Sequence, residues 1–202
     1  MLFLALIACS ASEEPAASPP TMAALTCPEL LDGRPAATNE AELAVMLEQV
    51  HSNLFPELAG VTIRLAANTS DESFFSATPD LATISNEPFE REYLVQYSTL
   101  QFDQPPPANA VIAILVHELK HVRDYTEMDL EEVIEFGAWY ISADISAYER
   151  ETDEHSLQLG CGEGLIEFRE WLYDVVTDEV EAEKRVNYYT PDEIRAWMDA
   201  NP

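Results

Sequence analysis

Two histidines four residues apart flank a glutamate in the segment His117-Glu118-Leu119-Lys120-His121. On a helix both imidazoles fall on one face, about one turn apart, and can reach a single ion. Glu118 is rotated off the line that joins them. It still points toward the ion's remaining position, where it can take a proton from water. Neutral imidazoles suit zinc, and an open position on zinc lowers the pKa of a water there to about 7. The residue types and their spacing therefore predict a metal site at His117 and His121, with Glu118 as general base and Zn2+ as cofactor.

Such a site needs a rigid helix to carry it. From Ala110 to about Asp124 the chain is apolar nearly all round, through Val111, Ile112, Ile114, Leu115, Val116, Leu119 and Val122. That pattern predicts a helix buried at the centre of a domain. Two ionisable rings and a carboxylate on such a helix are costly unless a metal or partners satisfy them. Pro105-Pro106-Pro107 ends whatever precedes the helix, and Asn109 is its expected cap.

Upstream, Asn39 to about Leu54 has helical spacing, with Leu43, Met46, Leu47 and Val50 on one face. Val61, Ile63 and Leu65 alternate with Thr62 and Arg64 as in a half-buried strand. Phe74 to Ser85 offers one or two short strands, and Tyr93 to Phe102 another. Downstream, a helical stretch spans Leu130 to Leu159 with an expected break at Gly137, and a third helix spans Leu165 to Val176. Thr190-Pro191-Asp192-Glu193 combines a capping threonine, a proline at the first helical position and a glutamate that closes a capping box. A few strands followed mostly by helices predict an α+β fold with one buried central helix and a mainly helical C-terminal half.

The His117-Glu118-x-x-His121 segment resembles the signature of the zincin metallopeptidases. The resemblance implies a mixed sheet packed on that helix and hydrolysis of peptide bonds in a peptide or protein substrate. Zincin subgroups differ in the third ligand. Metzincins place it six residues beyond the second histidine, after a glycine turn; here those positions are Glu127 and Asp124, which disfavours that subgroup. Gluzincin-like enzymes take it from a later helix, and Asp144-Ile145-Ser146-Ala147 is the nearest match to their pattern. Asp144 is thus the expected third ligand, with Glu149, Glu151, Glu131, Glu132 and Glu135 as alternatives. Asp124 reads either as a hydrogen-bond acceptor that orients the His121 ring or as an ion-pair partner of Arg123 or Lys120. Tyr188 and Tyr189 read as oxyanion donors or as aromatic packing, the acidic run Glu151, Asp153 and Glu154 as a solvated face, and His51 and His155 as surface residues.

The chain has 202 residues, 38 acidic against 10 basic side chains, and a formal net charge of -28. That charge repels phosphate backbones and excludes nucleic acid as a partner. Met1 to Ala8 are apolar but too few to span a bilayer. Leu6-Ile7-Ala8-Cys9 resembles the lipobox of bacterial lipoproteins, although no basic residue precedes it. The expected organisation is a signal peptide over 1–8, a tether over 9–26 that begins at an acylated Cys9, and one domain over 27–202. This implies an exported protein, lipid-anchored to the bacterial cell envelope and meeting the membrane through Cys9 alone. Cys27 and Cys161 then remain as a disulfide pair or as two separate buried thiols. Two other functions compete with peptide hydrolysis: a non-catalytic zinc-binding surface lipoprotein, and an acidic metal buffer.

Overall fold

In the computed structural model, which describes residues 26–30 and 35–202, the chain runs through eight α-helices and three strands. They are α1 (Cys27–Leu30), α2 (Glu40–Leu54), β1 (Thr62–Asn68), β2 (Phe75–Pro79), β3 (Glu92–Ser98), α3 (Ala108–Thr126), α4 (Leu130–Ser142), α5 (Ser146–Gln158), α6 (Gly162–Val175), α7 (Asp178–Asn187) and α8 (Pro191–Ala200). The expected signal peptide, the acylated Cys9 and the tether up to residue 25 lie outside the described residues. None of the described helices is long and apolar enough to cross a membrane.

The fold is α+β with one small mixed sheet, in the order β1-β3-β2. β1 runs parallel to β3 with Thr62 opposite Glu92, and β2 runs antiparallel with Phe75 opposite Tyr97. Alternation along β3 puts Tyr93, Val95 and Tyr97 inside. They face the core built around α3, whose residues from Ala110 to Val122 are all buried. α2 adds Leu43, Leu47 and Val50, and α6 adds Leu165, Phe168 and Leu172. Gly164 lets α6 cross α3 closely: a Cβ there would lie 2.4 Å from the Asn109 carbonyl oxygen. Chain ends and caps follow local chemistry. Asn39 caps α2 by accepting from Glu42 N–H, and Thr190 and Glu193 form the expected capping box of α8.

Two local expectations change, one is narrowed and one element was not foreseen. The residue before α3 is Pro107 rather than Asn109, because the proline ring already fixes the entry backbone at φ -52°. A single strand, β2, follows Phe74; beyond Pro79 the chain turns. Gly137 does not break the 130–159 stretch and lies inside α4. The break comes at Ala143, which is extended, and at Asp144, whose side chain accepts from Ser146 N–H at 3.0 Å. α7 was not foreseen, since its charged sequence carries little apolar periodicity and buries only Val180.

Cys27 and Cys161 are joined as a disulfide, with Cα atoms 5.1 Å apart and 134 residues between them in sequence. The alternative of two separate thiols is set aside. Cys27 N–H also donates to the Leu159 carbonyl at 3.0 Å, which fastens α1 to the α5–α6 junction. Closing so long a loop stabilises the fold by about 5 kcal/mol in the chain-entropy account.

Candidate metal centre

α3 positions His117 and His121 one turn apart, and packing on every side holds both rings in place; they are 1% and 6% exposed. α5 approaches the same face of α3 with Glu149, which is fully buried. His117 Nε2 lies 3.1 Å from His121 Nε2 and 3.1 Å from Glu149 Oε2, and His121 Nε2 lies 3.5 Å from that oxygen. The edges of a tetrahedron with zinc-length arms of about 2.0 Å are about 3.3 Å. These three atoms therefore sit where three zinc ligands would sit, and the cluster can hold a metal.

The outer nitrogens explain why the inner ones face each other. His117 Nδ1 lies 2.9 Å from Asp153 Oδ1, one turn beyond Glu149 on α5. Arg169 of α6 reaches both oxygens of Asp153, at 2.9 and 3.1 Å, and Tyr189 N–H donates to it at 3.0 Å. Asp153 is thus ionised and accepts from His117 Nδ1–H, which leaves a lone pair on Nε2. His121 Nδ1 lies 2.9 Å from the Tyr148 hydroxyl, which donates in turn to Asp124 at 3.2 Å. Asp124 is also the partner of Lys120, at 2.7 and 2.6 Å, so both roles foreseen for it hold, the first through Tyr148. Two imidazole lone pairs and a carboxylate then converge with nothing between them, an arrangement that a cation stabilises. A proton on His117 answers the same need. Burial would depress His117, but Asp153 and Glu149 outweigh it and hold the ring up at about 10. Burial would raise Glu149, but the hydrogen bonds to both histidines pull it far down.

Glu118 points elsewhere. It is 3% exposed, and its Oε2 has no hydrogen-bond partner. Burial raises its pKa, partly offset by the two histidines, which moves the carboxyl toward the range of a base working near neutrality. Glu118, His117 and His121 line a cavity of about 570 Å³. Its walls are β2, the turn at Leu81 and Ile84, and the inner face of α4 with Val133, Ile134, Phe136 and Ile141. Tyr140 of α4 reaches into the site and donates to Glu149 Oε1. Tyr188 lines the cavity with its ring 5.8 Å from that of His117, and its hydroxyl makes no hydrogen bond to the described residues. Tyr189 instead donates to Glu154 at 2.7 Å.

Asp144 is not brought to the site. It is exposed at the start of α5, occupied with Ser146, in a position that initiates the helix which carries Glu149. Its side chain is one methylene shorter than glutamate and lies more than one helical turn before Glu149, so the inward-facing residue of α5 holds the place. Glu131, Glu132, Glu135 and Glu151 are likewise exposed. Sequence reading gave Glu149 only as an alternative and missed Asp153, Tyr148, Tyr140 and Arg169. The available signal was Glu149-x-x-x-Asp153, two carboxylates one turn apart with a serine, a threonine and a leucine on the same buried face. His51 and His155, expected at the surface, are half-buried. His51 Nε2 lies 3.0 Å from the Leu58 carbonyl, and burial together with Arg123 drops His155 to about 4. Comparison of the chain with protein-family models, curated proteins and solved structures finds no match in any of the three.

Proposed function

We propose that this protein is a zinc-dependent hydrolase of the zincin type that cleaves peptide bonds, with Glu149 completing a gluzincin-like ligand set. The observation that carries the reading is the convergence of His117 Nε2, His121 Nε2 and Glu149 Oε2 beside the buried, unpartnered carboxyl of Glu118. His117, His121 and Glu149 would hold the zinc, which would supply a Lewis acid and lower the pKa of water toward neutrality. Glu118 takes a proton from the attacking water as the water oxygen adds to the scissile carbonyl carbon. Tyr188, with its free hydroxyl on the cavity wall, donates to the developing oxyanion. Glu118 then delivers the proton to the leaving nitrogen as the C–N bond breaks, giving one carboxylic acid and one amine. Asp153, Tyr148 and Tyr140 orient the three ligands and take no direct part.

Peptide is favoured over other hydrolysable substrates by the shape of the cavity. β2 is an edge strand of the described sheet, and Phe75 to Pro79 line the cavity along its length. An extended peptide can pair with such an edge while its apolar side chains rest against Ile134, Phe136 and Ile141. Export and anchoring through an acylated Cys9 belong to the same proposal, since an acidic chain cannot bind an anionic surface by charge. A Cys9→Ser protein then fractionates with soluble material, and persistence in membranes refutes the anchor.

The deciding test is Glu118→Gln, assayed for zinc by atomic absorption and for turnover on a peptide library. Zinc stays at about one per chain while hydrolysis falls by several orders of magnitude, because the base is not a ligand. Equal turnover by both proteins would remove Glu118 as the base, and no turnover by the unmodified protein would leave a non-catalytic zinc-binding module as the better reading.

A further inference from the structure

Lys184 is the one lysine or arginine among the described residues that line the main cavity, in a chain with 38 acidic side chains. It also lines a recess of about 40 Å³ that shares Ser73, Phe75, His117, Glu118 and Tyr188 with that cavity. The lysine therefore stands where the two spaces meet, beside the general base. Its side chain is only 17% exposed, yet its nearest acid is Glu183, 3.6 Å away and 61% exposed. No described residue accepts a hydrogen bond from its ammonium, which rests 5.6 Å from the centre of the Tyr188 ring. The ammonium is open to the cavity with no acceptor among the described residues, so an oxygen of a ligand there gains a charged partner without displacing one. Arg169 adds a second donor on the wall of the recess: it is 2% exposed, Asp153 engages its Nη2, and its Nε is buried without a partner. Glu72 and Glu183 face the same spaces, but both are exposed to solvent, which screens them.

Resting on the peptide-hydrolase reading, we propose that Lys184, with the Arg169 Nε–H behind it, binds a carboxylate of the substrate close to the scissile bond. The apolar cavity and this one cation together select an apolar peptide that carries a negative charge next to the bond cleaved. A free C-terminal carboxylate and an aspartate or glutamate side chain share this chemistry. The recess is small enough to hold one such group and little more.

The test is a binding measurement on the zinc-loaded Glu118→Gln protein, which cannot turn substrate over. Three fluorescent peptides share one apolar sequence: one ends in a free carboxylate, one is amidated, and one is amidated with a glutamate at the penultimate position. At least one of the two carboxylate peptides binds tenfold or more tightly than the plain amide, and the better one names the source. Adding Lys184→Met brings that ratio close to one, while Lys184→Arg restores part of it. Equal affinity for all three peptides, or a ratio untouched by Lys184→Met, overturns the inference. Hydrolysis of the plain amide by the wild-type protein is scored separately. Its absence counts against the hydrolase reading alone, and a carboxylate preference in the binding data stands without it.

Discussion

The two helices on either side of the His117–His121 pair invert the usual relation between sequence and burial. α5, which brings Glu149 to the histidines, buries Glu149, Thr152, Asp153 and Ser156, and only Leu157 among its buried residues is apolar. α4, which lines the cavity, is more apolar than even the central α3, yet it buries only Val133. Ile134 is 59% exposed, Trp139 41% and Ile141 89%. What stands opposite each helix explains the difference. Glu149 and Asp153 face two histidines and an arginine, and the Thr152 and Ser156 hydroxyls donate to carbonyls of α5 itself, so burial costs little. The apolar groups of α4 face open space, and the helix is held by its ends and a few rings. Asp129 and Glu132 cap its start, Arg91 donates to the Met128 carbonyl just before it, and Phe136 packs against Tyr125 and Tyr148. One helix is fixed by paired charges, and the other leaves apolar surface exposed along the cavity.

This contrast can be broken most violently on α5. Glu149→Ala removes the third ligand, so zinc content falls from about one per chain toward zero and hydrolysis with it. Asp144→Ala, two residues before the start of the same helix, keeps its zinc; the opposite pattern would return the ligand role to Asp144. Next in size, Asp153→Ala strands the Arg169 charge in the interior and destabilises the fold by about 3–5 kcal/mol in urea titration. Adding Arg169→Met to that variant recovers part of the loss, and failure to do so would mean the pair is not the source of the cost. Two glycines then compare tight and loose packing directly. Gly164→Ala drives a methyl group into Asn109 and Ala113 of α3 and costs about 1–3 kcal/mol. Gly137→Ala on α4 meets nothing within 4 Å and gains about 1 kcal/mol of helix stability. The smallest effect is on Ile141→Ser, which changes thermal stability by less than about 0.5 kcal/mol while weakening apolar peptides. A large loss of stability there would show that α4 is part of the core after all.

The parts of this molecule that were legible in sequence are those whose signal is local. Histidines at i and i+4 within an apolar run announce both the helix and the pair of rings, and Thr190 to Glu193 announce a cap. The third ligand depends on where the 130–159 stretch bends, and that is decided by small competing terms. A glycine inside a helix costs about 1 kcal/mol, which the capping box at Asp129 and the ring contacts of Phe136 can absorb. Asp144 offers the backbone a side-chain acceptor in place of a helical carbonyl, and the chain turns there. Composition misled in the same way over Asp153. An acidic run reads as a wet surface until its countercharge is known, and Arg169 lies sixteen positions away on another helix. Hydropathy describes what a side chain would do alone, whereas burial here depends on partners contributed by other elements.

The Cys27–Cys161 bridge also determines how the fold carries mechanical load. A pull on the chain upstream of Cys27 passes through the sulfurs to Cys161, at the junction where α5 ends and α6 begins. α2 and the sheet lie outside that path and are spared from being peeled away in sequence. The force enters close to the helices that carry Glu149, Asp153 and Arg169, which are pinned to α3 by buried ion pairs and hydrogen bonds. Reducing the bridge leaves the same pull to the Cys27 N–H bond to the Leu159 carbonyl, so that under tension α1 and α2 are loaded before the ion-paired helices.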